Sequence, residues 1–368
     1  MKEFKAIGPN LKTYYYYTNE MASDSNAKGV IVIAPGIEGT GAVYDEIGDY
    51  LDSKGYALYT LDEWGYGKTG KVDKKIYKNW KLKDFHFASY NVHALSVLAK
   101  KEHPDVPLYL IGNDFGAMLS LYLVREFPDV VDKVVTIGWG APRFGDYWSL
   151  FTSWIRKVFL CDDNEAKLAH FFKNEKYAVR FEKGEKYAWL SSDLSQVQKI
   201  KEAGYIDTPG TVGHYFRYYA RKVRTPLFMR MKQTDRTTPM LFVSGLEDLS
   251  TGKGSSTKSL ARYYKMRKFN NVETMLLEGR HELLFEKNRL ANVDAILEWL
   301  TGETVIVSPK EEKLAGEIEQ IETVKAEKSP EIKEETTVID VTDTVVNEQY
   351  AFMEAEEDLL INAHKDEE

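Results

Sequence analysis

The stretch of this chain best suited to chemistry is Leu108-Tyr-Leu-Ile-Gly112-Asn113-Asp114-Phe115-Gly116-Ala-Met-Leu-Ser120. An apolar, strand-like run passes without a break into a helix-spaced segment. Gly112 and Gly116 stand two residues to either side of Asp114. A G-x-Nu-x-G spacing between a strand and a helix makes a sharp turn that pushes the central side chain into a cleft. Glycines are needed there because the strand and the helix pass close together, and aspartate tolerates positive φ better than most residues. A carboxylate displayed at such a turn is a nucleophile or a base. Either role calls for a proton carrier, an acid to orient it, and donors for a developing oxyanion.

Each has a candidate. Met240-Leu-Phe-Val-Ser-Gly245-Leu-Glu247-Asp248 is a strand that ends in a G-x-x-D loop. Asp248 is the candidate orienting acid, with Glu247 as the fallback; the alternative is a turn or cap role for Asp248. After the next apolar run comes Leu277-Glu-Gly279-Arg-His281-Glu-Leu-Leu, with a histidine just beyond a strand end. His86, His93, His103, His170, His214 and His364 fall on helices, in the 144–236 segment or in the tail, so His281 is the candidate proton carrier. Upstream, Ile33-Ala-Pro35-Gly36-Ile37-Glu38-Gly39 follows the first core strand. A glycine-rich loop there aims backbone N–H groups into the cleft, and the amides of Ile37 and Phe115 are the expected oxyanion donors.

Apolar runs at Val30–Ala34, Ala57–Leu61, Leu108–Ile111, Val131–Ile137, Leu241–Ser244 and Thr274–Leu277 read as strands. Helix-spaced apolar positions lie between them, such as Phe87, Tyr90, Ala94, Val97 and Leu98. Continuous apolar strands separated by helices point to an α/β fold with a mostly parallel, doubly wound sheet. The alternation stops at residues 144–236, which are helical in character, aromatic and basic. That segment is expected to form a helical cap between core segments 1–143 and 237–302. Residues 303–368 hold 20 acidic and 6 basic side chains, a net of −14 within a whole-chain charge of −8. With too little apolar surface to offset its ordering entropy, this acidic tail is expected to be disordered. A single cysteine, Cys161, excludes an internal disulfide. No run of 18 apolar residues suggests a membrane span, and a cytoplasmic location is expected.

Three stretches resemble the α/β-hydrolase superfamily, in its monoacylglycerol lipase, lysophospholipase and serine-aminopeptidase-like branch: residues 35–70, 112–135, and 243–264 with 276–286. The loop Asp62-Glu-Trp-Gly65-Tyr-Gly67-Lys-Thr resembles that branch's D-x-x-G-x-G-x-S turn. The order nucleophile, Asp, His matches as well. The resemblance implies that Asp114, Asp248 and His281 occupy the three triad positions, and Ile37 and Phe115 the oxyanion positions. It covers about residues 10–301. There are two departures: Pro35 stands where the branch usually has histidine, and Asp114 where it has serine.

The second departure changes the chemistry. A carboxylate that attacks an ester makes a mixed anhydride, and the adduct mostly reverts because carboxylate leaves better than alkoxide. Attack on saturated carbon instead leaves a stable alkyl ester, which water cleaves afterwards. Three readings follow. The first is a hydrolase of a small or single-chain lipid-like ester, with Asp114 as nucleophile or as base for direct water attack. The second is a hydrolase of epoxides or carbon–halogen bonds. The third is a non-catalytic protein that binds a ligand or partner. Gly36 and the tyrosines Tyr215, Tyr218 and Tyr219 are expected to line the substrate, and no metal, nucleotide or redox cofactor is expected. Basic residues in 214–236 suggest peripheral contact with an anionic membrane. Nothing resembles a nucleic-acid reader. The acidic tail is expected to bind a protein partner or fold back on the basic cap.

Overall fold

The structure, a computed structural model, describes residues 1–8, 13–36, 39–72, 82–159, 180–181, 185–203, 216–220, 222–223, 236–303 and 335–336. Six parallel strands form the centre of the sheet: β3 (Gly29–Ala34), β4 (Tyr56–Leu61), β5 (Leu108–Asn113), β6 (Lys133–Ile137), β7 (Met240–Gly245) and β8 (Val272–Leu277). β2 (Thr13–Thr18) adds antiparallel to β4, and β1 (Lys2–Ile7) antiparallel to β2. The two-residue β9 (Glu335–Thr336) lies parallel beside β1. The order is β8-β7-β6-β5-β3-β4-β2-β1-β9, so the expected mostly parallel sheet is present.

The central strands read as unbroken apolar runs because both faces are covered. On one face Val30, Val32, Leu110, Val134 and Phe242 share a core with α3 (Leu82–Glu102), α4 (Phe115–Glu126) and α7 (Ser255–Met266). On the other, Ile31, Ile33, Ile111, Val135 and Leu241 pack with α1 (Asp45–Lys54) and α8 (Arg289–Thr301). The short α2 (Gly67–Val72) closes the loop after β4.

Two features of the path position the site. The chain leaves β3 for β4 on one side and returns to β5 on the other. The carboxyl ends of β3 and β5 therefore flank a crevice at the point where strand order reverses, the usual binding position in such sheets. The chain also leaves the sheet after β6 and re-enters it at Met240. In between, α5 (Phe144–Phe159) and α6 (Leu194–Glu202) are helical, as are residues 216–220. Much of the expected cap, and the acidic tail apart from residues 303 and 335–336, lies outside the described residues. Among the described residues, no helix is long and apolar enough to cross a membrane.

Candidate active site

Asp114 is the junction between β5 and α4, with φ 41° and ψ −108°. Few non-glycine residues adopt this backbone, at a cost of about 1–3 kcal/mol. The neighbours explain how it is held. The Asp114 amide donates to Ile137 O at 2.9 Å, and its carbonyl accepts from Ala117 N at 3.1 Å. A Cβ on Gly116 would sit 2.0 Å from Ala34 O, and one on Gly36 would sit 2.7 Å from Asn113 O and 2.8 Å from the Asp114 Cβ. The ends of β3 and β5 therefore meet the turn at backbone contact, which only glycine permits. The Asp114 side chain stays 19% exposed at the mouth.

His281 follows β8 and faces Asp114. Its Nε2 is 3.4 Å from Asp114 Oδ1, and its Nδ1 is 3.2 Å from Asp248 Oδ2. The loop after β7 brings Asp248 there, fully buried; its Oδ1 accepts from the Ser250 amide at 2.9 Å and the Ser250 hydroxyl at 2.7 Å. The Ser250 hydroxyl also lies 2.9 Å from His281 Nδ1. The imidazole is 2% exposed, under Trp189 at 5.1 Å between ring centroids. Neighbouring anchors hold its loop in place: Glu282 N donates to Leu190 O at 2.8 Å, and Arg280 Nη1 to Ala188 O at 2.7 Å.

Electrostatics couples the three groups. Burial alone would push the imidazole down, but the Asp248 charge, hydrogen bonds to Asp114 and Asp248, and the Asp114 charge together raise its pKa well above the usual histidine range. Burial would raise Asp248, yet the His281 charge and the hydrogen bonds from His281, Ser250 and Thr251 hold it below the ordinary aspartate value. Asp248 and His281 thus each favour the charged form of the other.

The structure thus brings together Asp114, His281 and Asp248. Phe115 opens α4, with its amide at the helix N-terminus, where partial positive charge favours an oxyanion. Gly36 lies against the elbow, whereas Ile37 falls outside the described residues. Tyr218 packs on the Phe115 ring at 6.2 Å and on Tyr219 at 5.2 Å, and Tyr215 is outside the described residues. The fallback acid Glu247 points to solvent, 61% exposed. Two further residues here carry no signal in the sequence. Glu282 is fully buried, with Oε1 3.8 Å from His281 Nε2. Asn113 Nδ2 donates to Glu282 Oε2 at 2.5 Å. Each flanks a candidate residue by one position, but no spacing rule announces a contact made 169 residues apart.

The sheet, its switch-point crevice and the strained elbow define an α/β-hydrolase. Within that class the chain belongs to the family described as serine aminopeptidase, S33, whose model matches residues 25–288. A monoglyceride lipase homolog of Monkeypox virus is 24% identical over 126 residues, 34% of this chain and 44% of that protein. A monoacylglycerol lipase of Mycolicibacterium smegmatis is 24% identical over 115 residues, 31% of this chain and 39% of that protein. The chain thus spans less than half the length of the curated relatives it matches. A thermostable carboxyl esterase from Bacillus coagulans shares the fold with a TM-score of 0.65 at 15% identity, covering 83% of this chain and 99% of that one. A monoglyceride lipase from Saccharomyces cerevisiae gives a TM-score of 0.56 at 15% identity, covering 80% and 93%.

Proposed function

We propose that this protein hydrolyses a small or single-chain lipid ester, with water attacking directly rather than through an acyl-enzyme. The reading rests on one observation: an aspartate replaces the family's serine at the elbow and faces the His281 imidazole at 3.4 Å. Asp248 and Asp114 favour the protonated imidazole; in that form Nε2 has no lone pair with which to act as base, so Asp114 takes the proton of the attacking water. The oxyanion forms at the Phe115 amide, with Ile37 as the expected second donor. His281 Nε2–H then protonates the departing alkoxide. Transfer of the proton from Asp114 to His281 restores the resting pair, giving one acid and one alcohol per water. The monoglyceride-lipase relatives support the substrate class.

The test is turnover of monoacylglycerol, epoxide and haloalkane panels in heavy-oxygen water, followed by mass spectrometry of protein and product. Label in the product acid and none in Asp114 is the expected result. Label accumulating in the Asp114 carboxylate, with epoxides or haloalkanes as the substrates consumed, would replace this reading with an alkyl-enzyme ester. No turnover of any panel would leave a binding protein.

Residues 144–236 are proposed to act as the cap over this crevice, and α5 supports a peripheral membrane contact. Its Phe144, Trp148, Phe151, Trp154 and Phe159 are all at least 48% exposed, and Arg156 and Lys157 sit in its last turn. Aromatic side chains beside basic ones suit the interface of an anionic bilayer. Co-sedimentation with phosphatidylserine vesicles should fall on changing Trp148 and Trp154 together to Ser; unchanged binding would remove α5 from the contact. A cytoplasmic location accords with the single cysteine.

A further inference from the structure

Three metal-ligating side chains converge at the elbow although no sequence spacing announces them. His281 Nε2 lies 3.4 Å from Asp114 Oδ1 and 3.8 Å from Glu282 Oε1. One donor atom from each residue falls within 4.8 Å of the other two. An ion with bonds of about 2.0–2.1 Å in a tetrahedral arrangement holds its donors about 3.4 Å apart. The widest separation, within 4.8 Å, therefore needs to close by about 1.4 Å at most.

We propose that Asp114, His281 and Glu282 form a binding site for a first-row divalent cation of the zinc class. The donor set, one imidazole nitrogen and two carboxylate oxygens, suits such an ion better than magnesium or calcium, which favour oxygen alone. Each donor is aimed by a neighbour. Asp248 Oδ2, 3.2 Å from Nδ1, orients the ring with Nε2 toward Asp114, the outer-shell carboxylate arrangement common at histidine ligands. Asn113 Nδ2 binds Glu282 Oε2 and so turns Oε1 toward Nε2. The donors sit at the elbow and in the anchored loop after β8, both fixed by backbone hydrogen bonds. The Asp114 side chain stays 19% exposed, so the cluster is not sealed from solvent. The family's serine would be a poor third ligand, and aspartate completes the set. An ion there keeps a position open toward the crevice, where it would polarise a water or an ester carbonyl.

The proposal goes beyond the proton relay above: an ion here displaces the Nε2 proton, so the relay and the bound ion are alternative states of one site. Its test reads cation binding rather than turnover, so either can fail alone. Chelator-treated full-length protein is titrated calorimetrically with zinc, manganese and magnesium chlorides. One zinc per chain is expected, with no saturable magnesium binding at the same site. Asp114→Ser and Glu282→Gln should each weaken zinc binding about 100-fold or more, and Asp248→Asn about 10- to 100-fold. Saturating zinc should raise the unfolding temperature of the unaltered chain and not of Asp114→Ser. Asp114→Ser carries the family's own residue, so it decides the matter if Glu282→Gln fails to fold. Absence of one-to-one binding, or equal affinity in Asp114→Ser, overturns the proposal; the latter would place the zinc elsewhere, for instance on the acidic tail.

Discussion

Asp62 and Asp248 occupy matching places in the sheet. Each lies in the loop just past the carboxyl end of a parallel strand, β4 for one and β7 for the other, and each is fully buried. Their surroundings drive the two carboxyls in opposite directions. Asp62 is ringed by neutral donors: the hydroxyls of Thr40 and Tyr17, and the amides of Lys68 at 2.7 Å and Thr69 at 3.4 Å. Burial outweighs all of them, and its carboxyl is pushed up to about 6. Asp248 accepts from Ser250 and Thr251, but it also faces the His281 imidazole, and its carboxyl is lowered. Neutral dipoles alone do not offset desolvation of a carboxylate here; one adjacent cation does. Asp62 therefore pins a loop, while Asp248 and His281 set each other's charge at the crevice.

The largest break in that contrast comes from removing the cation. His281→Ala leaves Asp248 buried without its charge partner and should turn it into a second Asp62. Its carboxyl rises, and the protein loses about 3–5 kcal/mol at pH 7 in urea denaturation. A loss below about 1 kcal/mol would mean that Ser250 and Thr251 suffice and that the contrast is mistaken. Asp248→Asn keeps a hydrogen-bond partner but removes the charge. If the proposed hydrolysis operates, kcat should fall about 10³- to 10⁴-fold with little change in KM, and the His281 proton should titrate at lower pH by NMR.

The two carboxylates also predict opposite pH dependences. For Asp62 the folded pKa of about 6 lies above the unfolded value, so between them the folded state binds the extra proton. Its stabilising contribution is complete below about pH 4 and is lost as the pH rises through 6, up to about 3 kcal/mol in all. Asp248 behaves in reverse: its contribution is present above the unfolded aspartate value of about 3.9 and is lost as pH falls through its lowered folded value. The raised His281 contributes below about 6.5 and fades as the pH climbs through its folded value. Asp62→Asn should therefore reduce the drop in stability between pH 4 and pH 7.5 by about 2–3 kcal/mol. An unchanged drop would assign it to another group.

What was legible in the sequence follows from how local each signal is. Gly112-x-Asp114-x-Gly116 declares its turn because the glycines answer contacts within the turn and the adjoining strand. The apolar runs of β3, β5 and β7 declare a sheet covered on both faces. Asp248 and His281 were readable as residues just past strand ends, where parallel sheets collect their chemistry. β1 and β2 carry no such signal. Thr13-Tyr-Tyr-Tyr-Tyr-Thr18 has no alternation of polar and apolar residues, since tyrosine suits both faces, and Lys2–Ile7 carries two lysines and a glutamate on an outer strand. Glu282 and Asn113 stayed hidden for another reason. Their contact depends on register, which puts the end of β5 beside β6, β7 and β8 in turn, and no periodicity in one segment encodes that distance.

The smallest test separates the two aspartates by their hydroxyl donors. Thr40 Oγ1 donates to Asp62 Oδ1, and Ser250 Oγ to Asp248 Oδ1 at 2.7 Å. Either hydroxyl, taken alone, is worth about 1.5–3 kcal/mol to a charged acceptor. The consequences should differ. Thr40→Val deprives a carboxylate with no cation beside it among the described residues, so its cost above pH 6 should reach about 2 kcal/mol and Asp62 should titrate higher still. Ser250→Ala leaves Asp248 with the imidazolium and two amides, and it also frees His281 Nδ1 from a competing partner 2.9 Å away. The Nδ1–H then commits to Asp248, and the net cost should stay under about 1 kcal/mol. Urea midpoints for both variants at pH 7.5, beside the unaltered chain, give the comparison directly. Equal losses would show that the imidazolium does not dominate at Asp248, and the clamp at the crevice would then be a matter of hydrogen bonds rather than charge.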